Sequence, residues 1–458
     1  MRRLMLGALM LAGSTLAAQD PFNAAVDSIA RDVLRQTGVP SASLAIVRDG
    51  KVVYVQAYGD AKVEGHVPAT TTMRYSIGSI SKQFCAGAIL LLVQDGKLSL
   101  DDPVSKYFPD LTRANEVTIR ELLSHTSGYQ DYWPQDYVMP NMLDSTTARQ
   151  IVDRWARIPL DFDPGTRWQY SNTNYVIAGM IVEKVSGMPF FDFLRSRILN
   201  PLGIESVKNI DLGRLPDSDP TGYVRYALGP ARVAPKEGKG WLFAAGELAM
   251  TPSDLAKWDL AMMNESLLSP ASYHTMETEV LRKDGVGTGY GLGVDVGIQN
   301  GHRAISHNGE VSGFTAENLV FPDDRAAIVV LTNQDAAQAG GAIARQVSAR
   351  LFTTEDASAH AHESQTQTIF EGLQKGTIDR SLFTTDANFY FNAQTLADFA
   401  SSLSPLGAPA AVVQVGRSLR GGMVLRVYQV RFTSGRAVRA WTFEMPDGKL
   451  EQYQVASN

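Results

Sequence analysis

The chain has 458 residues and a formal net charge of −6, with 44% of residues hydrophobic and 20% charged. That balance excludes whole-chain disorder, and the length predicts two or three domains with a large core. No basic block is interleaved with aromatics, which sets nucleic acid aside as a partner.

The first eighteen residues stand apart. Arg2 and Arg3 precede an apolar stretch from Leu4 to Ala12, and small residues through Ala18 lead to Gln19. A basic start, a short apolar core and a small-residue exit predict a signal peptide over residues 1–18 and an exported protein, periplasmic or secreted. The apolar run is too short to span a bilayer, so no membrane span is expected in the mature chain. The single cysteine, Cys85, rules out an intrachain disulfide and reads as a packed thiol.

Val26, Ile29, Val33 and Leu34 recur at helical spacing over residues 22–38, and Gly38-Val39-Pro40 stops that helix. Two β-rich runs, 41–47 and 51–58, flank Asp49-Gly50 and predict a hairpin. A helix is expected over 79–95 and a short one over 118–124. Two more follow at 145–156 and 174–186, the second capped by Asn172 or Thr173. Thr251, Pro252 and Asp254 mark the start of another helix, running to about residue 263. Strands are expected over 290–296, 304–307, 314–321 and 326–331, then a helix over 338–351. The fold class is therefore α/β (α+β). Early and late strands join one antiparallel sheet flanked by the terminal helices, and the middle forms an inserted all-helical lobe. A site is expected in the cleft between them.

Residues 353–367 lack an apolar period and read as a linker. Helices over 368–374 and 393–403 and strands over 411–415, 423–432, 437–443 and 450–455 predict a separate α+β domain, residues 368–458.

Three short patterns occur in order: Ser79-x-x-Lys82, Tyr170-Ser171-Asn172 and His307-Asn308-Gly309. Residues three apart on a helix share a face, so the Ser79 hydroxyl and the Lys82 amine can touch. A serine needs a nearby base to become a nucleophile, and a desolvated amine can serve. Alone, the pair reads equally as a capping serine and a solvated lysine. His125 reads as structural, and Tyr390-Phe391-Asn392 as a strand and its end. The glycines at 287, 289, 291 and 293 precede no helix, which argues against a phosphate loop. Asp101, Asp102, Asp323 and Asp324 read as turn acids, and His360 and His362 as solvated linker residues. No zinc or calcium pattern is present, and no cofactor is expected.

With their flanks, notably 75–84, 122–128, 164–172, 245–246 with 251–255, 290–293 and 307–314, the three patterns resemble the serine β-lactamase and penicillin-binding-protein superfamily. The likeness is to its class C-like, esterase and D-aminopeptidase branch, over about residues 22–352. It implies Ser79 as the nucleophile that forms an acyl-enzyme, with Lys82 beside it sharing its proton. It implies Tyr170 as the base or its assistant, its pKa lowered by a neighbouring cation, and Asn172 as a partner of Lys82 and of a substrate amide. The oxyanion is to be met by the backbone N–H groups of Ser79 and of Glu310, the residue after Gly309. His307 stands where β-lactamases usually carry lysine. Being only partly charged near neutral pH, it implies weak recognition of a carboxylate and poor β-lactamase activity. The expected substrate is a small-molecule ester, amide or peptide. The alternative is a non-catalytic sensor or binding protein for peptidoglycan-type ligands, and the oligomeric state stays open. The C-terminal domain resembles an NTF2-like or similar cone-shaped module, which transfers no catalytic residue.

Overall fold

Alternation along one central strand shows the layering of the chain up to residue 352. In strand β1 (Ser41–Arg48) every residue but the last is buried. Ala42, Leu44 and Ile46 enter one apolar cluster, while Ala45 and Val47 enter another. Successive side chains of a strand point to opposite faces, so a strand buried on both faces needs cover on both. One face is covered by helices α1 (Pro21–Thr37) and α5 (Ala339–Leu351). The other meets the inserted lobe, with α2 (Ser81–Gln94), α3 (Asn172–Ser186) and α4 (Pro252–Asn264).

The computed structural model describes residues 20–352 and 358–457. The expected signal peptide therefore lies outside the described residues. Two compact units divide the chain, Met1–Phe352 and Thr353–Asn458.

In the first unit, β2 is Lys51–Lys62, β3 Val67–Pro68, β4 Asp295–Gln299, β5 His302–Val311, β6 Phe314–Phe321 and β7 Ala326–Thr332. They form a seven-stranded sheet in the order β3-β2-β1-β7-β6-β5-β4. Every pairing is antiparallel, including β1 with β7, which joins the early strands to the late ones. β4 pairs with β5 only as far as Ser306, opposite Asp295. The edge of β5 from His307 to Val311 is left open toward the lobe.

Four local expectations are corrected here. The lobe is helical apart from two short ladders, one joining Tyr75–Ser76, Leu248–Met250 and Lys208–Asn209, the other Tyr223–Val224 and Arg232–Val233. Ser79 sits in a 3₁₀ turn, Gly78–Ile80, immediately before α2. Ser171, not Asn172 or Thr173, is the residue before α3. The strand expected from residue 290 begins only at Asp295. Before it the chain turns tightly, with the Gly291 N–H donating to the Val294 carbonyl at 2.8 Å.

In the second unit, helix α6 (Ala359–Gln374) starts inside the expected linker. Its polar first half is carried by an amphipathic face that buries Thr366, Ile369, Phe370 and Leu373. Residues 385–390 are helical, and Asn392 caps the next helix, Ala393–Leu403, so Tyr390 to Asn392 is a helix end and a cap rather than a strand. Strands Pro409–Arg420, Met423–Phe432, Ala437–Glu444 and Leu450–Ser457 form an antiparallel meander in chain order. Phe370, Phe391, Tyr428, Val430 and Tyr453 pack its core. Among the described residues, no helix is long and apolar enough to cross a membrane.

Candidate active site

The turn carrying Ser79 is held from three sides. Before it, Tyr75 and Ser76 pair with Met250 and Ala249, and the Ile77 N–H donates to the Leu248 carbonyl at 3.0 Å. After it, α2 is apolar nearly all round and buried along almost its whole length. Beside it runs β5, in close backbone contact. A Cβ on Gly309 would fall 1.9 Å from the Ile77 carbonyl oxygen and 3.1 Å from the Ser79 nitrogen. One on Gly78, at φ +51°, would fall 2.6 Å from the Glu310 nitrogen. Glycine is required at both places.

This packing brings the backbone N–H groups of Ser79 and Glu310 together. The two-residue turn after Val311 makes Val311 and Phe314 the closing pair of the β5–β6 hairpin. Alternation along the ladder then turns the Glu310 N–H away from β6, toward the open edge. The Glu310 carboxylate accepts from the Ala336 N–H at 2.7 Å and is drawn away from that position.

Lys82 is fully buried, and its amine contacts Ser79 Oγ at 2.9 Å, Asn172 Oδ1 at 2.8 Å and the Ala245 carbonyl at 2.9 Å. Burial pulls its pKa down to about 7, with Asp131 opposing part of the shift. The Asn172 amide nitrogen donates to both Asp131 carboxylate oxygens, at 3.2 and 3.3 Å, which turns its oxygen toward Lys82. Two of the three sites around Nζ thus face oxygens that cannot donate. In the neutral amine, the lone pair must point at the third, the Ser79 hydroxyl. This is the arrangement of a base poised on a nucleophile.

The loop carrying Tyr170 is pinned to His125: the Gln169 N–H donates to the His125 carbonyl at 3.0 Å and the Ser171 N–H to His125 Nδ1 at 3.1 Å. The His125 ring lies 4.3 Å from that of Tyr170, and Tyr175, Tyr290 and Trp168 complete an aromatic box. With Nδ1 accepting, Nε2 carries the proton and is buried without a polar partner among the described residues. Burial holds His125 well below the ordinary histidine pKa. Its role is to place Tyr170, in keeping with its structural reading.

Tyr170 overturns one expectation. Burial drives its pKa upward, not down, and outweighs the lowering effect of the nearby Ser79 hydroxyl. Lys82 lies 5.0 Å from the centroid of the ring, over its face, and the shift is set by desolvation. A phenol held protonated can donate a proton, and an amine with a pKa near 7 is suited to act as a base at neutral pH.

His307 is also corrected. It is buried, its Nδ1–H donates to the Asn308 carbonyl, and its Nε2 accepts from the Tyr290 hydroxyl at 2.9 Å. Burial, reinforced by Lys82, depresses its pKa to about 3. It is uncharged, not partly charged, at neutral pH.

Ser79, Tyr170, Asn172, His307 and Glu310 line one cleft of about 420 Å³, with Lys82 beneath Ser79 and Gly309 behind the turn. Sequence reasoning gave no role to Asp131, Ala245, Tyr290 or Asp295. Asp131 orients Asn172 from a loop that carries no motif, and Ala245 acts through its carbonyl, which no side-chain pattern reports. Asp295, exposed at the cleft edge, also lines the cleft; its carboxylate has no hydrogen-bond or ion-pair partner among the described residues, and partial desolvation pushes its pKa up to about 6.

Comparison with known proteins identifies relatives of this chain. Penicillin-binding protein 4* of Bacillus subtilis (strain 168) is 29% identical over 302 residues, which cover 62% of this chain and 66% of that protein. Protein flp of Staphylococcus aureus (strain COL) is 28% identical over 320 residues, 67% of this chain and 62% of its own. The chain thus spans less than two thirds of the length of these relatives. Among solved structures, D-amino acid amidase from Ochrobactrum anthropi SV3 complexed with D-phenylalanine superposes with TM-score 0.66 at 28% identity, over 72% of this chain and 99% of that one. A D-stereospecific amidohydrolase from Streptomyces sp. gives 0.63 at 28% identity, over 72% and 98%. The family described as Beta-lactamase matches residues 26–351, and the chain belongs to it, as a homologue of penicillin-binding proteins and D-amino acid amidases.

Proposed function

We propose that the protein is a serine hydrolase that cleaves ester or amide bonds through an acyl-enzyme on Ser79. The observation that carries this reading is the Lys82 amine, with its free valence directed at the Ser79 hydroxyl. In the first step neutral Lys82 takes the hydroxyl proton as Ser79 Oγ bonds to the acyl carbon. The oxyanion forms against the N–H groups of Ser79 and Glu310. Tyr170, still a phenol, hands its proton to the departing oxygen or nitrogen as the acyl bond breaks, and the proton on Lys82 replaces it. Water then reverses the sequence and releases the acid. Incubation with a fluorophosphonate should give one adduct by intact mass, mapped to the peptide bearing Ser79. No adduct, or one elsewhere, would remove the enzyme and leave the binding-protein reading.

Within that class we propose substrates whose leaving group is neutral or cationic. Among the described residues, no lysine or arginine lines the Tyr170–His307 end of the cleft: Lys82 lies beneath Ser79 and must be neutral to react, His307 is neutral, and Asp295 lines the same cleft without a partner. Turnover of a short nitrophenyl ester should exceed that of nitrocefin. In Asp295→Asn the nitrocefin-to-ester ratio should rise roughly threefold to tenfold at pH 8, the effect of removing one nearby charge. Asp295 is ionised above its pKa of about 6, so the gain should shrink as pH falls through that value. An unchanged ratio at pH 8 would sink the charge argument. The D-amino acid amidase likeness supports D-amino-acid amides and esters as the natural class. We further propose export, on the basic and apolar start of the chain, and an NTF2-like identity for the second unit, on its meander and packed helices.

A further inference from the structure

The cleft does not stop at Val311. Beyond it lies a second cavity of about 320 Å³, walled by Tyr137, Met139, Met142, Val224, Tyr226 and Pro235. Trp133, Glu310 and Val311 line both spaces, so the two are contiguous. One wall is stiff: the Trp133 and Tyr137 rings stack at 3.5 Å and 13°. Most polar groups around it are already engaged. Ser312 donates its hydroxyl to the Pro235 carbonyl and its N–H to the Tyr137 hydroxyl, and Glu310 is tied to Ala336. Asp335 accepts from the Gly313 N–H through Oδ2, while its Oδ1 is buried without a partner among the described residues.

The chemistry of the cleft says which half of a substrate enters. A general acid must reach the leaving atom, so the leaving group lies toward Tyr170. Tyr170 neighbours His307, with ring centroids 6.2 Å apart, at the far end of the open β5 edge. With the carbonyl oxygen at the Glu310 N–H, the acyl substituent runs the other way, past Val311 and Ser312. We infer that the second cavity is an acyl subsite for a hydrophobic alkyl or aromatic acyl group, an inference that rests on the hydrolase reading above.

A series of nitrophenyl esters from acetyl to hexanoyl, normalised to buffer hydrolysis, tests it alongside fluorophosphonate labelling of Ser79. Full burial of a methylene is worth about fourfold, so kcat/KM should rise at least tenfold across the series. Val224→Trp, which fills the cavity, should abolish the rise. Tyr226→Ser, at a residue 63% exposed and so tolerant of change, should reduce it severalfold. A flat profile in protein that labels at Ser79 would overturn the subsite and leave the hydrolase standing. So would a rise that neither variant lowers. Preference for 6-aminohexanoyl over hexanoyl would overturn the apolar assignment and point to Asp335. Absence of both label and turnover would remove the hydrolase and the subsite together.

Discussion

Replacing Lys82 by methionine is expected to lower kcat/KM for an activated ester about 10³-fold, within the roughly 10²–10⁴-fold range of a lost general base. Methionine keeps the length and apolar stem of lysine, so the helix packing survives while the amine is lost. The pH profile separates this from a packing defect. The wild type needs Lys82 neutral, so log kcat/KM should climb with unit slope below about pH 7 and level above it. His307, at about 3, stays neutral across that range and adds no limb. In the variant the limb near 7 should vanish, leaving a low, flat rate. A second readout comes from stability. The folded state holds the amine near 7, while the unfolded chain holds it near 10.4, so folding releases a proton between those values. Relative to the methionine variant, the wild type should gain stability as pH rises from 7 to 10, by at most about 1.4 kcal/mol per unit. A variant that keeps the limb at 7 would exclude Lys82 as the base.

The parts of this site that were legible in the sequence are those where chemistry rests on side-chain identity at short spacing. Ser79 and Lys82 stand three apart, and Tyr170 and Asn172 two apart at the mouth of a helix. Periodicity likewise carried α1, and a marked turn or cap carried the β1–β2 hairpin and α4. The misreadings share a different cause. Tyr290 to Val294 is apolar enough for a strand, but its glycines allow a tight buried turn. A Cβ on Gly293 would meet the Lys82 carbonyl oxygen at 2.8 Å. The start of α6 is polar enough for a linker, yet its helix is stabilised by the few apolar residues at its end.

Charge states were the least legible feature. A cation near Tyr170 suggested a lowered pKa, but that effect depends on where the cation sits and on how much water is excluded. Lys82 faces the ring rather than the hydroxyl, and desolvation prevails. The same exclusion of water depresses Lys82 and His307, because both are cations when protonated. One environment therefore favours a neutral amine, a protonated phenol and a neutral histidine. No spacing of residue types states that in advance.

Backbone contact gives the last and most local expectation. Gly309→Ala should lower kcat at least about 10²-fold, the scale of losing one oxyanion donor. The added Cβ would lie 1.9 Å from the Ile77 carbonyl oxygen and 3.1 Å from the Ser79 nitrogen, and both neighbours are backbone. No rotamer can relieve that contact, so β5 must move from the 78–80 turn and separate the N–H groups of Ser79 and Glu310. Overpacking of this kind costs about 1–3 kcal/mol, so the melting temperature should fall by several degrees. Gly297, on β4, has open space at its Cβ position and serves as the control. Gly297→Ala should leave both kcat and melting temperature within experimental scatter, as surface changes generally do. The effect of Gly309→Ala should fall on kcat more than on KM, because the oxyanion contact strengthens as negative charge develops on the oxygen. Full kcat in a folded Gly309→Ala protein would show that the β5 edge does not supply the oxyanion donor.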